Sequence, residues 1–277
     1  MRQELEKKVK SAIRLLQSVS QIKNGEPVEV AYSGGKDSDT ILQLVKEANI
    51  PYRAIYKNTT IDPPGTIAHA KEMGAEIRRP RQTFFDMIRK KGMPSRFARF
   101  CCSKLKEYKI LDTCVIGVRR EESKKRADRY KEPTVCRVYS KNERVEQILP
   151  ILEWTLQDVK EFLEDRGIKL APVYYDETGK AHYERRLGCL GCPLSSENKR
   201  LEQFRKYPKL AKQWCKAQKF FRDTHPNNKA VAMYDDEYED FCFNLIPQKM
   251  RKIPTNKNAI IKTDYKSVLQ NLLNIRF

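Results

Sequence analysis

The sequence predicts an α/β protein: a doubly wound parallel sheet followed by a smaller C-terminal region that is mainly helical and otherwise irregular. Three observations carry this. Short apolar strands alternate with helically spaced segments from about residue 25 to residue 170. A glycine turn joins the first strand to the first following helix, as at the start of a βαβ unit. After Pro172 the alternation stops and cysteine, helical and acidic segments succeed one another.

Element by element, residues 1–22 read as an amphipathic helix, and Gly25 and Pro27 break it. Val28 to Tyr32 is a short buried strand, and Thr40 to Glu47 has helical spacing. Tyr52 to Tyr56 is a second strand. The Pro63-Pro64 pair opens a helix over Gly65 to Met73. Glu76 to Arg79 is a strand, Phe84 to Lys91 a helix and Leu105 to Leu111 another helix. Thr113 to Val118 is a strand, and Gln147 to Leu149 enters the last one. Leu156 to Arg166 is an amphipathic helix with Thr155 as its N-cap. A long helix is expected from Ser196 to Phe221, then a mixed tail with acidic residues from Asp235 to Asp240. The expected division is an N-terminal helix (1–24), a nucleotide-binding domain (25–194) and a helical C-terminal region (195–277).

Composition narrows the function. Lys and Arg number 55 against 36 Asp and Glu, a net charge of +19, which attracts polyanions such as nucleic acid or a phosphorylated substrate. No apolar run approaches the ~20 residues needed to span a bilayer, and the N-terminal segment lacks a signal-peptide core. A soluble cytoplasmic protein without membrane association is expected.

The segment Ser33-Gly34-Gly35-Lys36-Asp37-Ser38 lies between a strand and a helix. Its glycines let backbone N–H groups approach a ligand, and the helix start favours a bound phosphate. Lys36 offers a point charge, Ser33 and Ser38 offer hydroxyls, and Asp37 is the candidate to hold Mg²⁺. The spacing differs from the GxxxxGK[ST] phosphate loop. It resembles the SGGxDS signature of the PP-loop ATP pyrophosphatases. That resemblance implies ATP and Mg²⁺ as ligands, cleavage between the α and β phosphates, and Lys36 and Asp37 as catalytic residues.

Three more segments resemble the phosphoadenosine phosphosulfate (PAPS) reductase branch of that superfamily. Asn58-Thr59-Thr60-Ile61-Asp62-Pro63-Pro64 is similar to its DTG-x-x-x-P turn, with Asn for Asp. Gly117-Val118-Arg119-Arg120-Glu121-Glu122-Ser123, continuing to Arg126-Ala127, is similar to G-x-R-x-x-(E/Q)-S-x-x-R-A, and Pro150 to Thr155 to P-x-x-x-W-T. The resemblance implies nucleotide contacts from Asn58, Thr59, Gly117 and Arg119. It also implies contacts from Arg120 and Arg126 to substrate phosphate or sulfate. Arginine beyond the C-terminal end of a parallel strand suits those oxygens independently.

The eight cysteines include Cys101-Cys102 and, after 86 residues, Cys189-Leu190-Gly191-Cys192. Two such pairs can complete four thiolate ligands around iron or zinc. The pattern resembles that of iron–sulfur adenylylsulfate reductases and of DNA phosphorothioation enzymes. The resemblance favours [4Fe–4S], with zinc as the alternative. Lys104 and Arg99 are placed to moderate the centre's charge. Cys114, Cys136, Cys215 and Cys242 read as core residues or free thiols, and His182 as a surface residue.

Two departures separate the chain from sulfonucleotide reductases as that branch implies them. The phosphate loop is intact, and the last cysteine, Cys242, is not in a Cys-Gly-Leu-His tail. The expected function is therefore ATP-dependent adenylation of a substrate coupled to sulfur transfer, with DNA or tRNA as acceptor and a sulfur-donor protein as partner. Sulfonucleotide reduction is one alternative. A non-catalytic nucleotide- or nucleic-acid-binding module with structural zinc is the other.

Overall fold

The computed structural model describes residues 1–140, 143–246 and 263–277. In chain order the elements are α1 (Gln3–Ile22), β1 (Val28–Tyr32), α2 (Lys36–Glu47), β2 (Tyr52–Lys57), α3 (Thr66–Glu72), β3 (Glu76–Arg78), α4 (Phe84–Lys91) and α5 (Phe100–Leu105). They continue with β4 (Thr113–Val115), α6 (Lys124–Arg129), β5 (Thr134–Ser140), β6 (Glu143–Ile148), α7 (Leu156–Asp165), α8 (Glu197–Lys206), α9 (Pro208–Thr224), α10 (Glu237–Leu245) and α11 (Tyr265–Leu273). They fall into two compact units, each assembled from separated stretches.

The first unit comprises residues 1–58, 62–80 and 105–187. Its sheet has the order β3-β2-β1-β4-β6-β5, and every pairing is parallel except β5 with β6. On β1, Val28, Val30 and Tyr32 enter the main core with Ile41, Leu44 and Val45 of α2. Leu5, Val9, Ala12, Leu16 and Val19 recur three or four residues apart, so α1 buries one stripe into the same core. Its polar side is tied to α7: Lys8 and Arg2 each meet the buried Asp158 at 2.7 Å. Successive crossovers run from β1 to β2 and β3 on one side, and the chain then returns to place β4 on the other. The order therefore reverses between β1 and β4, where an open α/β sheet binds ligands beyond its strand ends.

Two expectations for this unit need correction. The final strand is a full hairpin, β5–β6, antiparallel with Val135 opposite Gln147. Its alternating charged and apolar residues, half-buried at a sheet edge, lack the continuous apolar run that marks a buried parallel strand. The helix expected over Leu105 to Leu111 instead ends at Leu105, having begun at Phe100. Beyond it the chain turns, and the Leu111 N–H donates to Glu29 of β1 at 3.4 Å.

The second unit comprises residues 59–61, 81–104 and 188–277, of which 247–262 lie outside the described residues. Residues 81–104 and 188–194, expected within the nucleotide-binding domain, belong to this unit. The cause is an aromatic core: Phe84 of α4 packs on Trp214 of α9 with ring centroids 4.9 Å apart. Phe204 of α8 joins Phe241 of α10 at the same separation. The single helix expected from Ser196 to Phe221 is two, broken at Tyr207 because Pro208 cannot continue a helix but suits the first turn of the next.

Asp240 of α10 is buried, and Gln218 and Asn244 donate side-chain N–H groups to its carboxylate. Burial pushes its carboxyl up to about 6, against the pull of Gln218, Arg222 and Asn244. A raised acid favours folding while it is protonated. Its contribution is complete below the unfolded value of about 4 and is lost as pH rises through about 6. Asp240→Asn should therefore match the wild type near pH 4 and exceed it by up to roughly 3 kcal/mol at pH 8. Gln218 Oε1, buried without a hydrogen-bond partner, is available to the new amide. Denaturant titrations across this range give parallel curves if the carboxyl is not responsible.

Candidate functional site

The phosphate loop lies in the first unit at the sheet's switch point. Gly34 has φ of +74°, and a Cβ there would sit 2.8 Å from the Thr66 methyl group, so both backbone conformation and space require glycine. α2 begins at Lys36, four residues before its apolar spacing becomes legible. Lys36, Asp37 and Ser38 therefore occupy the first helical turn, where phosphate is favoured.

The loop is closed on itself. The Gly35 N–H donates to the Ser38 hydroxyl at 3.0 Å, and that hydroxyl donates to the Gly35 carbonyl at 2.7 Å. Ser33 and Ser38 hydroxyls are 3.2 Å apart. The Lys36 N–H donates to the phenol oxygen of Tyr174 at 3.2 Å. A phosphate seated here would take over N–H groups now held by Ser38 and Tyr174.

The Lys36 side chain is 5% exposed. Its ammonium lies 3.3 Å from Asp37 and donates to the Arg185 carbonyl at 3.4 Å. Burial holds its pKa below the ordinary lysine value; Asp37 opposes this, and Arg119 and Arg186 add to it. Arg119, also buried, donates from Nε to Asp37 Oδ1 at 2.7 Å and from Nη1 to Glu121 at 2.6 Å. Asp37 thus meets a cation through each oxygen. The Mg²⁺ role expected of it requires one of those pairs to open.

Gly117 brings the chain after β4 against this turn: a Cβ on it would lie 2.7 Å from the Asp37 carbonyl oxygen. Arg126 pairs with Glu122, and Arg186 donates to the Glu122 carbonyl at 2.7 Å. Arg126 is held below its ordinary value, first by burial and then by Arg186, with Arg119 contributing. Arg119 and Arg186 therefore repel both Lys36 and Arg126, a field suited to a polyanion. Arg120 does not join them. Its guanidinium donates to the carbonyls of Tyr130 and Lys131 and pairs with Glu153.

Arg186, Tyr174 and a buried group beneath the loop are additions to the residues read from sequence. In that group Asp39 of α2 accepts from the Tyr32 hydroxyl and lies 3.1 Å from His69 Nε2. Nothing in a lone Asp, His and Tyr at that spacing marks them as partners. Asn58 ends β2's extension, its N–H donating to the Arg78 carbonyl at 3.0 Å. His182 stands partly exposed between Asp176 and Glu184, at 2.7 and 2.9 Å.

The cysteine pairs lie in the second unit. Cys101 and Cys102 open α5, and the Cys101 thiol is pushed up by its hydrogen bond to Cys102, then by burial and by Cys102, Cys189 and Cys192. The four thiols thus share one neighbourhood. Cys189 donates to the Thr59 hydroxyl at 3.5 Å, so Thr59, expected at the nucleotide, is placed with the cysteines. Leu190 donates its N–H to the Ile61 carbonyl at 2.8 Å. Gly191 has φ of +69° and would press a Cβ to 2.7 Å from Phe204, so the turn rests on the aromatic core. The buried Arg200 holds the following strand of chain through the Pro193 and Ser195 carbonyls at 3.2 and 2.6 Å.

This donor set fits a thiolate-held group in chemistry and neighbourhood, yet among the described residues no group of three or more His, Cys, Asp or Glu forms a metal cage. Of the isolated cysteines, Cys114, Cys215 and Cys242 are buried and Cys136 is exposed. Among the described residues no helix is long and apolar enough to cross a membrane.

The family model described as the phosphoadenosine phosphosulfate reductase domain matches residues 27–195. An uncharacterized protein of Methanocaldococcus jannaschii is 26% identical over 218 residues, 72% of this chain and 43% of that protein. An uncharacterized 37.8 kDa protein of Escherichia phage 186 is 30% identical over 148 residues, 48% of this chain and 42% of that one. The chain thus spans about two fifths of the length of these curated relatives. The crystal structure of a PAPS reductase from Candida auris in complex with phosphate is 15% identical, with a TM-score of 0.45 over 68% of this chain and 96% of that one.

Proposed function

The chain belongs to the phosphoadenosine phosphosulfate reductase domain family, and from that premise we propose that it is a PP-loop enzyme that binds ATP, adenylates an acceptor with release of pyrophosphate, and couples this to sulfur transfer. The observation that carries this reading is the intact loop at the switch point, with Lys36 buried near Arg119 and Arg186 and opposed by Asp37. In the reaction, an acceptor oxygen attacks the α-phosphorus, the bond to the α–β bridging oxygen breaks, and pyrophosphate leaves. Lys36 stabilises charge gathering on that leaving group. Arg119 holds Asp37, and with it the first turn of α2, in place. Asp37 would hold Mg²⁺ with its Lys36 pair opened, and the ion would offset negative charge on the triphosphate.

Cys101, Cys102, Cys189 and Cys192 would hold a [4Fe–4S] cluster, which when bound supplies an iron site for sulfur chemistry. The protein's part there is positional. Gly191, Arg200 and Thr59 fix the second cysteine pair, and α5 fixes the first. The basic surface suits a nucleic-acid acceptor, DNA or tRNA, and a sulfur-donor protein completes the cycle.

Anaerobic purification with iron, sulfide and zinc analysis tests the cysteine assignment. About four irons and four sulfides per chain are expected, with broad visible absorption, and Cys102→Ala should lose them. One zinc per chain in a colourless protein would instead make the cysteines a structural knuckle. Pyrophosphate release from ATP tests the loop assignment separately.

A further inference from the structure

Phe97 is 99% exposed, and the next most exposed large hydrophobic among the described residues is Ile22 at 75%. Its segment joins α4 to α5 in the second unit. We infer that residues 90–99 form a landing surface for single-stranded nucleic acid, with Phe97 stacking on an unpaired base while neighbouring cations meet the phosphates. This rests on the reading that the acceptor is a nucleic acid, and it assigns the place where that acceptor docks.

The ring is held outward at the tip of an anchored turn. Pro94 is buried. The Ser95 hydroxyl accepts the N–H groups of Phe97 and Ala98 at 3.2 and 3.0 Å, and the Ser95 N–H donates to the Ala98 carbonyl at 3.3 Å. Arg96, exposed and next to Phe97 in sequence, donates from Nε to the Pro193 carbonyl at 3.2 Å, which ties the turn down. Such a turn keeps an aromatic face in water, and no core packing within the described residues accounts for it.

Charge identifies the partner. From Met87 to Lys104 the sequence has six Lys or Arg and no Asp or Glu. Lys90, Lys91, Arg96 and Arg99 are exposed. Lys91 already lies over the Phe100 ring at 5.5 Å, so aromatic rings and cations interleave along the segment. Cations tracking a backbone beside an aromatic platform form the arrangement that binds single strands without reading sequence. A duplex keeps its bases stacked on one another and offers no face to this ring. An acidic peptide would use the charges and leave the ring idle. An anionic membrane would take the ring as an anchor, but no second exposed apolar side chain lies within residues 90–99 beyond Ala98. Phe97 precedes Cys101 by four residues, a span of at most about 14 Å of chain. A base stacked there would come within reach of the cysteine pairs proposed to hold the cluster.

Fluorescence anisotropy of the full chain with labelled oligouridylate, oligothymidylate and a blunt duplex, over a range of salt, tests this. Both single strands are expected to bind more tightly than the duplex. Phe97→Ala should weaken single-strand binding between about fivefold and a hundredfold with the salt slope unchanged, and Phe97→Trp should restore it. Arg96→Gln should lower the slope. Thermal unfolding checks that these surface variants stay folded. Tighter binding of the RNA or of the DNA strand identifies which acceptor the surface favours. Wild-type affinity in Phe97→Ala, tighter binding of the duplex, or Phe97-dependent binding to phosphatidylserine vesicles without oligonucleotide binding would each overturn the proposal. ATP titration of the wild type is a separate readout: oligonucleotide binding without ATP binding would sink the enzymatic reading and leave this surface standing.

Discussion

Lys36→Ala is expected to lower pyrophosphate release at saturating ATP by about a hundredfold to a thousandfold, the usual cost of removing one preorganised electrostatic stabiliser. The geometry motivates the size. The ammonium is buried, carries three N–H groups, and among the described residues meets the Asp37 carboxylate at 3.3 Å and the Arg185 carbonyl at 3.4 Å. Arg119 and Arg186 push against its charge, so an incoming pyrophosphate group relieves repulsion as well as gaining attraction. If Lys36 acts chiefly on the leaving group, the variant loses turnover more than ATP affinity, and the two are measured separately. Lys36→Arg should not rescue it, because a planar guanidinium does not replace a compact ammonium buried over the Tyr174 ring. The lowered pKa adds a check. The charged form is lost as pH rises through that value, so activity should fall on an alkaline limb below the ordinary lysine value of about 10.4. Pyrophosphate release within threefold of wild type in Lys36→Ala would remove Lys36 from the chemistry.

The parts of this fold that were legible in sequence are those whose pattern is local. Val28 to Tyr32 and Phe84 to Lys91 appear where their patterns place them, because the strand is a short run buried on both faces and the helix buries one face. The hairpin β5–β6 was not legible beyond its last residues. Thr134–Ser140 is the edge strand and pairs only with Glu143–Ile148 among the described residues, and polar residues are tolerated at such an edge. The start of α2 was hidden for a related reason. Lys36 to Asp39 carry no apolar stripe, and their helical form follows from the Ser38 hydroxyl closing on Gly35. Domain boundaries were least legible. Phe84 and Trp214 are 130 positions apart, and nothing local in either segment announces that they share a core.

The candidate site divides in the same way. SGGKDS and Gly117-x-Arg119 could be read because both are short segments that follow strands, and the adjacency of β1 and β4 brings them together. Arg120 and Arg126 read alike, yet one is taken up by carbonyls of its own loop and the other stands among the loop's cations. Sequence spacing cannot separate them, since a guanidinium's role depends on which way the chain turns after it. Arg186 was invisible because it arrives from a segment about 150 residues downstream of Lys36.

Gly117→Ala is expected to damage the loop region through backbone contact alone. An added Cβ would meet the Asp37 carbonyl oxygen at 2.7 Å, its carbon at 2.9 Å and its Cβ at 3.1 Å. The first two are backbone, so no side-chain rotation relieves them, and either β4's extension or the first turn of α2 must withdraw. Withdrawal of α2 carries Lys36 with it and stretches the 2.7 Å bond from Arg119 to Asp37. Overpacking of this kind costs about 1–3 kcal/mol of stability. ATP affinity should fall at least about tenfold, because a displacement of even an ångström misplaces a phosphate cradle. Gly188→Ala is the stability control, since a Cβ there meets nothing within 4 Å. Stability comes from denaturant titration and ATP affinity from calorimetry on the same preparations. If Gly117→Ala is destabilised but binds ATP as the wild type does, the strand yields and the loop does not, and the close approach is packing alone. If both fall together, β4 sets the position of the loop, and the switch point is part of the nucleotide site.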